Sequence, residues 1–451
     1  SVSSPGRRPC TQLGNAERLV DTHGANLRWV PEWGWLRWDG RRWERVDDAV
    51  VEHRAGQVVR GIYSEAAAEP DNERRKALAN WAQRSEAAGQ TGAMVHMARG
   101  YVLGKPDDFD KAPLLFNVSN GTLNLKTGVP GPHRREDYIT RLAPVEYSPD
   151  ALCPRWDAFL KRIFRGRPEI ADYLQEAAGY SLTGLVREQI ALILYGLGDN
   201  GKTTFVETLL AVVGDYGAKA SFDTFLASDR DGPRNDLAAL SGARLVVATE
   251  SESGRRLNET LLKELTGGDT ITARFLNKEF FSYRPQYQLW LATNNKPTIR
   301  EQTHALWRRL RLIPFQETIT PEEKDTALAD KLKGELSGIL AWKVRGCRRY
   351  LDHGMETPLV VTAATAEYRR DEDPLEDYLA AHCVIEPTAT TPSAELYADY
   401  KAWTEARGEK AQTSGWFGRL LAQRGVEKGK EQRPRRYQGV RLRNGSDGVS
   451  S

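Results

Sequence analysis

Between Gly196 and Thr203 the chain reads G-L-G-D-N-G-K-T, a full match to the pattern G-x-x-x-x-G-K-[ST]. This spacing suits the binding of phosphate. Glycines let successive backbone N–H groups turn inward onto phosphate oxygens, and a helix N-terminus behind them adds partial positive charge. Lys202 is placed to reach the β- and γ-phosphates of a nucleotide, and the Thr203 hydroxyl to ligate Mg2+. The expected nucleotide-contacting set is Gly196, Gly198, Asp199, Asn200, Gly201, Lys202, Thr203 and Thr204. Asn200 is expected to shape the loop by accepting a backbone bond or by tolerating φ > 0. Two flanking elements must hold this loop. "QIALILY" upstream is a short apolar run of the kind buried on both faces of a parallel sheet, and "TFVETLLAVVG" downstream is helical as far as Gly214.

Hydrolysis needs more than a phosphate cradle. A carboxylate at the end of a neighbouring strand must hold Mg2+ and orient water. "ARLVVATESES" supplies a β-rich run with Glu250 at its carboxyl end, and Glu252 is the weaker second candidate. A further strand, "YQLWLATNN", ends in Asn294-Asn295, and Asn294 is the better candidate to feel the γ-phosphate and position the attacking water. "ALWRRLRLIPF" then puts Arg308 and Arg309 just before another short strand. An arginine reaching a γ-phosphate across a subunit boundary neutralises charge in the transition state. Arg309 is the preferred finger, with Arg308 as its neighbour or sensor.

Between acid and sensor lies "LLKELTGGDTITARFLNKEFFSYRP". A short helix stops at Gly267-Gly268, and two strands follow, joined at Asn277-Lys278. A basic hairpin that moves with a nucleotide site is a lever on a phosphate backbone, with Lys278 at the tip and Arg274 on the arm. The competing reading is an ordinary structural hairpin.

Five stretches occur in this order: "GLGDNGKTTF", "RLVVATESE", "LLKELTGGDTITARFLNKEF", "LWLATNNKPTI" and "WRRLRLIPF". Together they resemble the superfamily 3 helicase domain of phage and plasmid primase-helicases, a group that includes the poxvirus primase-helicase. Upstream, "LFNVSNGTLNLKTG", "REDYITRLAPVEYSPDALCPRW" and "YLQEAAGYSLTG" resemble the region that precedes the helicase there. The resemblance covers roughly residues 14 to 318. It implies a hexameric ring of AAA+-like domains, ATP and Mg2+ bound between subunits, a finger acting in trans, and single-stranded DNA in a central channel. It also implies 3′-to-5′ translocation. Upstream there is no D-x-D pair on a strand followed by a suitable His, so primase activity is not carried over. A missing amino-terminal part or a separate primase or polymerase would supply it.

The remaining segments are less diagnostic. "NLRWVPEWGWLRWDGRRWERV" interleaves five Trp with Arg and breaks at Asp39-Gly40, a hairpin signal. Aromatic plus Arg fits single-strand stacking, but the plainer reading is the buried face of a small sheet. A second hairpin is expected to turn at Asn120-Gly121. Pro154 to Thr183 is helical, with Trp156, Phe159, Leu160, Ile163 and Phe164 on one face.

Near the carboxyl end, "TPSAELYADYKAWTEARG" and "TSGWFGRLLAQRG" read as two helices, the second capped by Ser414, followed by the strand-like "RRYQGVRLR". That outline is a winged helix. Its basic residues, among them Arg419, Arg435 and Arg436, form an electrostatic footprint for nucleic acid, duplex DNA included.

The balance of 40% hydrophobic and 28% charged residues is that of an ordinary soluble protein, and net charge +3 decides little. No apolar run is long enough to span a bilayer. Four scattered cysteines without a C-x-x-C pair argue against zinc and disulfide frameworks and fit a reducing cytoplasm. The chain starts without Met, as a processed product or fragment would.

The expected fold class is α/β: an AAA+-like P-loop NTPase core with an inserted β-hairpin, an α+β amino-terminal region and a winged-helix-like module. The expected divisions are a disordered start (1–13), the α+β domain (14–150), a helical collar (151–185), the ATPase domain (186–320), a helical lid (321–375), the winged-helix-like module (376–444) and a disordered tail (445–451). The leading functional expectation is a replicative DNA helicase of a mobile element. An ATP-dependent initiator that remodels an origin without processive unwinding is the alternative. A DNA-binding scaffold with a vestigial ATPase is disfavoured by the intact Lys202, Thr203, Glu250 and Asn294 set.

Overall fold

The structure, a computed structural model, describes residues 8–227, 234–249, 255–275, 280–373, 375–408, 410–429 and 435–443. The chain opens with α1 (Gln12–His23), whose first turn is capped by the Thr11 hydroxyl accepting from the Gly14 N–H. Next comes an antiparallel meander of β1 (Leu27–Val30), β2 (Gly34–Trp38) and β3 (Trp43–Val46). The predicted turn at Asp39-Gly40 is there. The Asp39 carboxylate accepts from the Arg41 and Arg42 N–H groups, and Trp38 pairs with Trp43. Trp35 and Trp43 are fully buried, while Trp29, Trp33 and Trp38 are half-buried. Helices α2 (Asp48–Ala68), α3 (Asn72–Ser85) and α4 (Ala88–Ala98) complete this part.

A second meander, β4 (Leu115–Val118), β5 (Gly121–Asn124) and β6 (Val129–Gly131), turns one residue earlier than expected. Ser119 and Asn120 form the turn, and Gly121 already belongs to β5. The reason is a side chain: Asn120 exchanges hydrogen bonds with both backbone groups of Tyr147, at 3.0 and 2.9 Å.

From there the order is α5 (Pro154–Ile163), α6 (Pro168–Tyr180), β7 (Ala191–Tyr195), α7 (Lys202–Val213), β8 (Gly217–Ser221), α8 (Asn235–Ala238) and β9 (Leu245–Thr249). It continues through α9 (Glu259–Gly267), β10 (Ile271–Arg274), β11 (Phe280–Tyr283), β12 (Gln288–Thr293), α10 (His304–Trp307) and β13 (Leu310–Pro314). Three helices follow: α11 (Leu328–Lys333), α12 (Leu336–His353) and α13 (Leu359–Asp371).

Five of these strands form one parallel sheet in the order β13-β7-β12-β9-β8. Alternate residues serve opposite faces. Leu192, Leu194, Val247 and Trp290 point to one core, Ile193, Val246, Ala248 and Leu291 to the other. That is why β7, β9 and β12 read as largely apolar runs, whereas the edge strand β8 does not.

The first of those cores draws in Phe116, Val118, Leu123, Leu125 and Val145. Residues 115–147 therefore share an interior with the sheet. Helices α6 and α12 cross at contact distance because Gly179 and Gly346 carry no side chain: a Cβ at either would stand 2.1 Å from the other helix's backbone. The amino end of α5 is capped from afar, by the buried Glu335 carboxylate accepting from the Arg155 and Trp156 N–H groups at 3.0 and 3.1 Å.

The last part consists of α14 (Glu376–His382), β14 (Cys383–Pro392), α15 (Ser393–Ala406), α16 (Ser414–Gln423) and β15 (Arg436–Leu442). Ser414 is not the cap of α16. It is the first helical residue, and the Thr413 hydroxyl accepts from the Trp416 N–H. β15 pairs antiparallel with β14, a long strand that the sequence reading did not anticipate. Among the described residues no helix is long and apolar enough to cross a membrane.

Lys343 on α12 is fully buried, and its Nζ has no hydrogen-bond partner among the described residues. Burial pushes its ammonium down from 10.5 to about 7. The folded state thus binds fewer protons than the unfolded one across that interval, so stability falls as pH drops from 10.5 towards 7 and stays low below it. Lys343→Met should raise the melting temperature by several degrees at pH 6 and by clearly less at pH 9.5, measured by differential scanning fluorimetry.

Candidate functional site

The loop from Gly196 to Gly201 joins the carboxyl end of β7 to the amino end of α7. Gly201 sits at φ +81°, and no side chain caps the helix it starts. A Cβ there would meet Phe159 and Ile163 of α5 at 2.9 Å, so α5 acts as a wedge beneath the loop. Behind it, Phe205 stacks between Trp156 and Trp290 at 5.3 and 5.9 Å, tying α5, α7 and β12 together.

Lys202 is 5% exposed, and its ammonium donates to Gly196 O at 2.6 Å, Asn200 Oδ1 at 2.9 Å and Asn294 Oδ1 at 3.1 Å. All three acceptors are neutral. Burial pushes the Lys202 ammonium down to about 8.

Asn200 does not shape the loop in the way expected of it. Its amide donates to Phe315 O at 3.3 Å while its carbonyl accepts from Lys202, and the positive φ of +40° falls on Asp199 instead. Asp199 is in turn held to the segment after β13, through Lys324 at 2.9 Å and the Ile319 N–H at 2.7 Å. Thr203 is exposed in the first turn of α7, and Thr204 beside it is half-buried. Gly196 lies too close to Phe315 O for any side chain, since a Cβ would stand 2.3 Å away.

Asn294 follows β12 directly and is brought to Lys202, as the sequence reading required. Glu250 and Glu252 lie outside the described residues. The strand that leads to them ends at Thr249, level with Ala292. This strand, β9, is not the neighbour of β7: β12 lies between them, which sets β7 and β9 about 10 Å apart. The expectation of a carboxylate on the adjacent strand is corrected here. The amide strand is adjacent, and the acidic one is a strand further away. Among the described residues there is no cluster of three or more His, Cys, Asp and Glu that could hold a metal ion.

Arg308 and Arg309 are not brought to Lys202. The Arg309 carbonyl accepts from the Ala191 N–H, at the amino end of β7, so the length of that strand, about 13 Å, separates them from the loop. Arg308 is exposed and donates to Gln189 Oε1 at 3.0 Å. Arg309 donates to Ala305 O, and its buried Nε has no partner among the described residues. Burial and then the neighbouring Arg308 hold its guanidinium below its ordinary value.

The expected hairpin exists as β10 paired with β11, Arg274 opposite Phe280 with its guanidinium 4.7 Å from that ring. Lys278 lies outside the described residues. In the last part, Arg419 and Arg435 are exposed, and Arg436 donates to Thr390 Oγ1 at 3.1 Å.

Sequence reasoning missed what holds the segment after Asn294-Asn295. Lys296 pairs with Asp371 at 2.8 Å, and the Ile299 N–H donates to Glu372 Oε2 at 2.8 Å. Tyr368 Oη donates to Pro297 O, and the next acid, Asp373, pairs with Arg424, the residue that follows α16. The run "RRDEDP" lies just before the boundary drawn at residue 375. Three acids at a helix end close to a lysine-bearing loop would have been the signal.

Residues 16–165 match the family model described as D5 N terminal like, and residues 194–309 match one described as a family of unknown function, DUF5906. The chain is 27% identical over 321 residues to "Putative helicase L207/L206" of Acanthamoeba polyphaga mimivirus, covering 66% of this chain and 33% of that protein. It is 24% identical over 325 residues to "Putative primase C962R" of African swine fever virus (strain Badajoz 1971 Vero-adapted), covering 66% of this chain and 34% of that protein. It thus spans about a third of the length of these curated relatives. Among solved structures, the apo NrS-1 C terminal region is similar at a TM-score of 0.42 and 13% identity, covering 66% of this chain and 78% of that one.

The loop's dependence on glycine is directly measurable. Gly201→Ala combines a left-handed backbone with a 2.9 Å contact and should cost about 1–3 kcal/mol. Gly56→Ala, in open space within α2, should instead gain about 0.5–1 kcal/mol. Thermal unfolding of the two variants should move in opposite directions.

Proposed function

Because the chain belongs to the primase-helicase family with a D5-like amino-terminal region, we propose that it is an ATP-driven DNA helicase acting in replication of a phage, plasmid or other mobile element. The observation that carries the reading is the Lys202 ammonium. It is buried at a helix N-terminus that no described side chain caps, and among the described residues its hydrogen-bond partners are all neutral oxygens, which leaves its charge for an anion. Gly196, Gly198, Asp199, Asn200, Gly201 and Thr204 line the phosphate-binding loop in this proposal, and Thr203 with Glu250 would hold Mg2+. ATP supplies the phosphoanhydride bond whose cleavage is the energy source, and Mg2+ offsets its negative charge.

The chain's own groups divide the work. Lys202 would orient phosphate oxygens, and Asn294, which accepts a hydrogen bond from Lys202, would hold the attacking water. Glu250, with Glu252 as the weaker second candidate, would orient that water. Arg309 is the preferred finger and Arg308 its neighbour. Their distance from the loop of the same chain supports action on a neighbouring subunit's nucleotide in a hexameric, AAA+-like ring.

Arg274 and Lys278 on the inserted hairpin would follow the strand in the channel, moving 3′ to 5′. Arg419, Arg435 and Arg436, on a winged-helix-like module, would hold duplex. That module's basic surface also favours a second reading, an initiator that remodels an origin without processive unwinding. A separate primase or polymerase is a proposed partner.

A forked substrate with a 3′ tail should be unwound by the chain and not by Lys202→Ala. Ring formation and hydrolysis without strand separation would leave the initiator reading in place. Arg309→Ala should abolish turnover while sparing nucleotide binding. Mixing it with Lys202→Ala subunits should restore part of the activity, and failure to do so would remove the trans assignment.

Bound phosphate favours the Lys202 ammonium over the amine, so binding takes up a proton as pH exceeds the free value of about 8. Affinity for a fluorescent ATP analogue should be flat below pH 8 and fall up to about tenfold per pH unit above it. Lys202→Arg should flatten that profile.

A further inference from the structure

The Trp- and Arg-rich meander has no part in the reading above, yet one side of it opens onto the inserted hairpin. A cleft of about 880 Å3 separates β2–β3 and the loops beside them from β10–β11. On the hairpin wall, Phe275 and Phe280 are 43% and 57% exposed, and Phe275 stacks on Phe281 at 5.5 Å and 16°. Facing them, the guanidinium of the exposed Arg45 lies 4.6 Å from the Trp33 ring and makes no hydrogen bond or ion pair with any described residue. Arg141, on the same wall, donates to the carbonyls of Asp215 and Ser241 at 2.7 and 2.6 Å, so no carboxylate contact of its own offsets its charge.

Four carboxylates line this space, and three are already engaged. Asp110 accepts from the Thr140 N–H and Oγ1 at 2.9 and 2.6 Å, Asp215 pairs with Arg42, and Glu44 accepts from Arg37 Nε at 3.0 Å. Glu32 is exposed. The balance of charge is therefore close to even, and the cleft would not attract a polyanion by field alone. What it offers is aromatic faces on one wall and a planar, unpaired cation laid on an indole on the other.

We propose that this cleft is a second contact for single-stranded DNA, in which a base stacks on Phe280 or Phe275 and the Arg45 guanidinium, held on Trp33, takes a phosphate. The inference rests on the reading of DNA as the substrate and adds a site to it. Single strands fit because their base faces are free to stack, whereas a duplex keeps its bases inside. The strand would pass from the hairpin to the amino-terminal meander, which gives the meander's aromatic-plus-arginine composition a use beyond its buried face. One guanidinium on the phosphates implies a shallow salt dependence, a slope of about −0.7 in log K against log salt from this site.

The test is anisotropy of a fluorescein-labelled oligo-dT on the full chain. Phe280→Ala and Arg45→Ala should each weaken binding about 5- to 100-fold. Combined, they should lose less than the product of the two, because both walls hold one strand. Arg45→Ala should also reduce the salt slope by about 0.7, and binding of the same sequence as duplex should not change with either variant. Photo-crosslinking of a 5-iodouridine-substituted oligonucleotide to the unmutated chain should map to peptides containing Trp33 and Phe280, whatever the variants' folding.

If both variants bind oligo-dT as the parent does while Arg435→Ala weakens it, the strand is held elsewhere, and the cleft is not a DNA site. A parent chain that binds neither single strand nor duplex sinks the DNA reading itself.

Discussion

A buried ammonium keeps its charge at least cost when it donates hydrogen bonds, and Lys202 donates to oxygens from three places: the residue after β7, the loop and the residue after β12. Much of the molecule can be read as the means of bringing those oxygens together. The sheet sets β12 beside β7, α5 wedges the glycine loop from below, and Phe315 O holds Asn200 in the orientation that turns its carbonyl to the lysine. None of the three acceptors is charged, so among the described residues no contact cancels the charge of this cation. The strain of keeping it dry shows in the depressed Lys202 value.

The local parts of this arrangement were legible because they are written in short patterns. A glycine loop between an apolar run and a helix, the Gly267-Gly268 stop and the paired strands around it each depend on residues a few positions apart. Sheet order is different. Nothing in "RLVVATESE" or "LWLATNN" says which strand lies next to the loop, since parallel neighbours are chosen by packing across the whole sheet. The acid strand was therefore expected one place too close. The Asp371–Glu372 clamp escaped for the same reason, as did the shared interior of residues 115–147.

Charge counted along a sequence also differs from charge available in space. Between Gly415 and Arg443 the sequence holds nine basic residues, yet the structure engages several of them internally. Arg424 is spent on Asp373, Arg441 on Glu386 at 3.4 Å, Arg443 on Cys383 O at 3.1 Å and Arg436 on Thr390. Arg419 and Arg435 keep their guanidinium groups in solvent. The module's cationic surface is narrower than its composition, and Arg424 ties it to the helix end that clamps the Asn294 loop.

β13 is the last strand of the sheet to be synthesised, yet it sits at the edge beside β7, the first. The carbonyl that holds Asn200 belongs to Phe315, one residue beyond it. During synthesis the loop's sequence is thus present long before its geometry can be, and closing the sheet waits on contacts far apart in the chain. A nascent or truncated chain ending short of Phe315 carries every residue of the glycine loop but lacks the contact that orients Asn200. The site is an event late in folding.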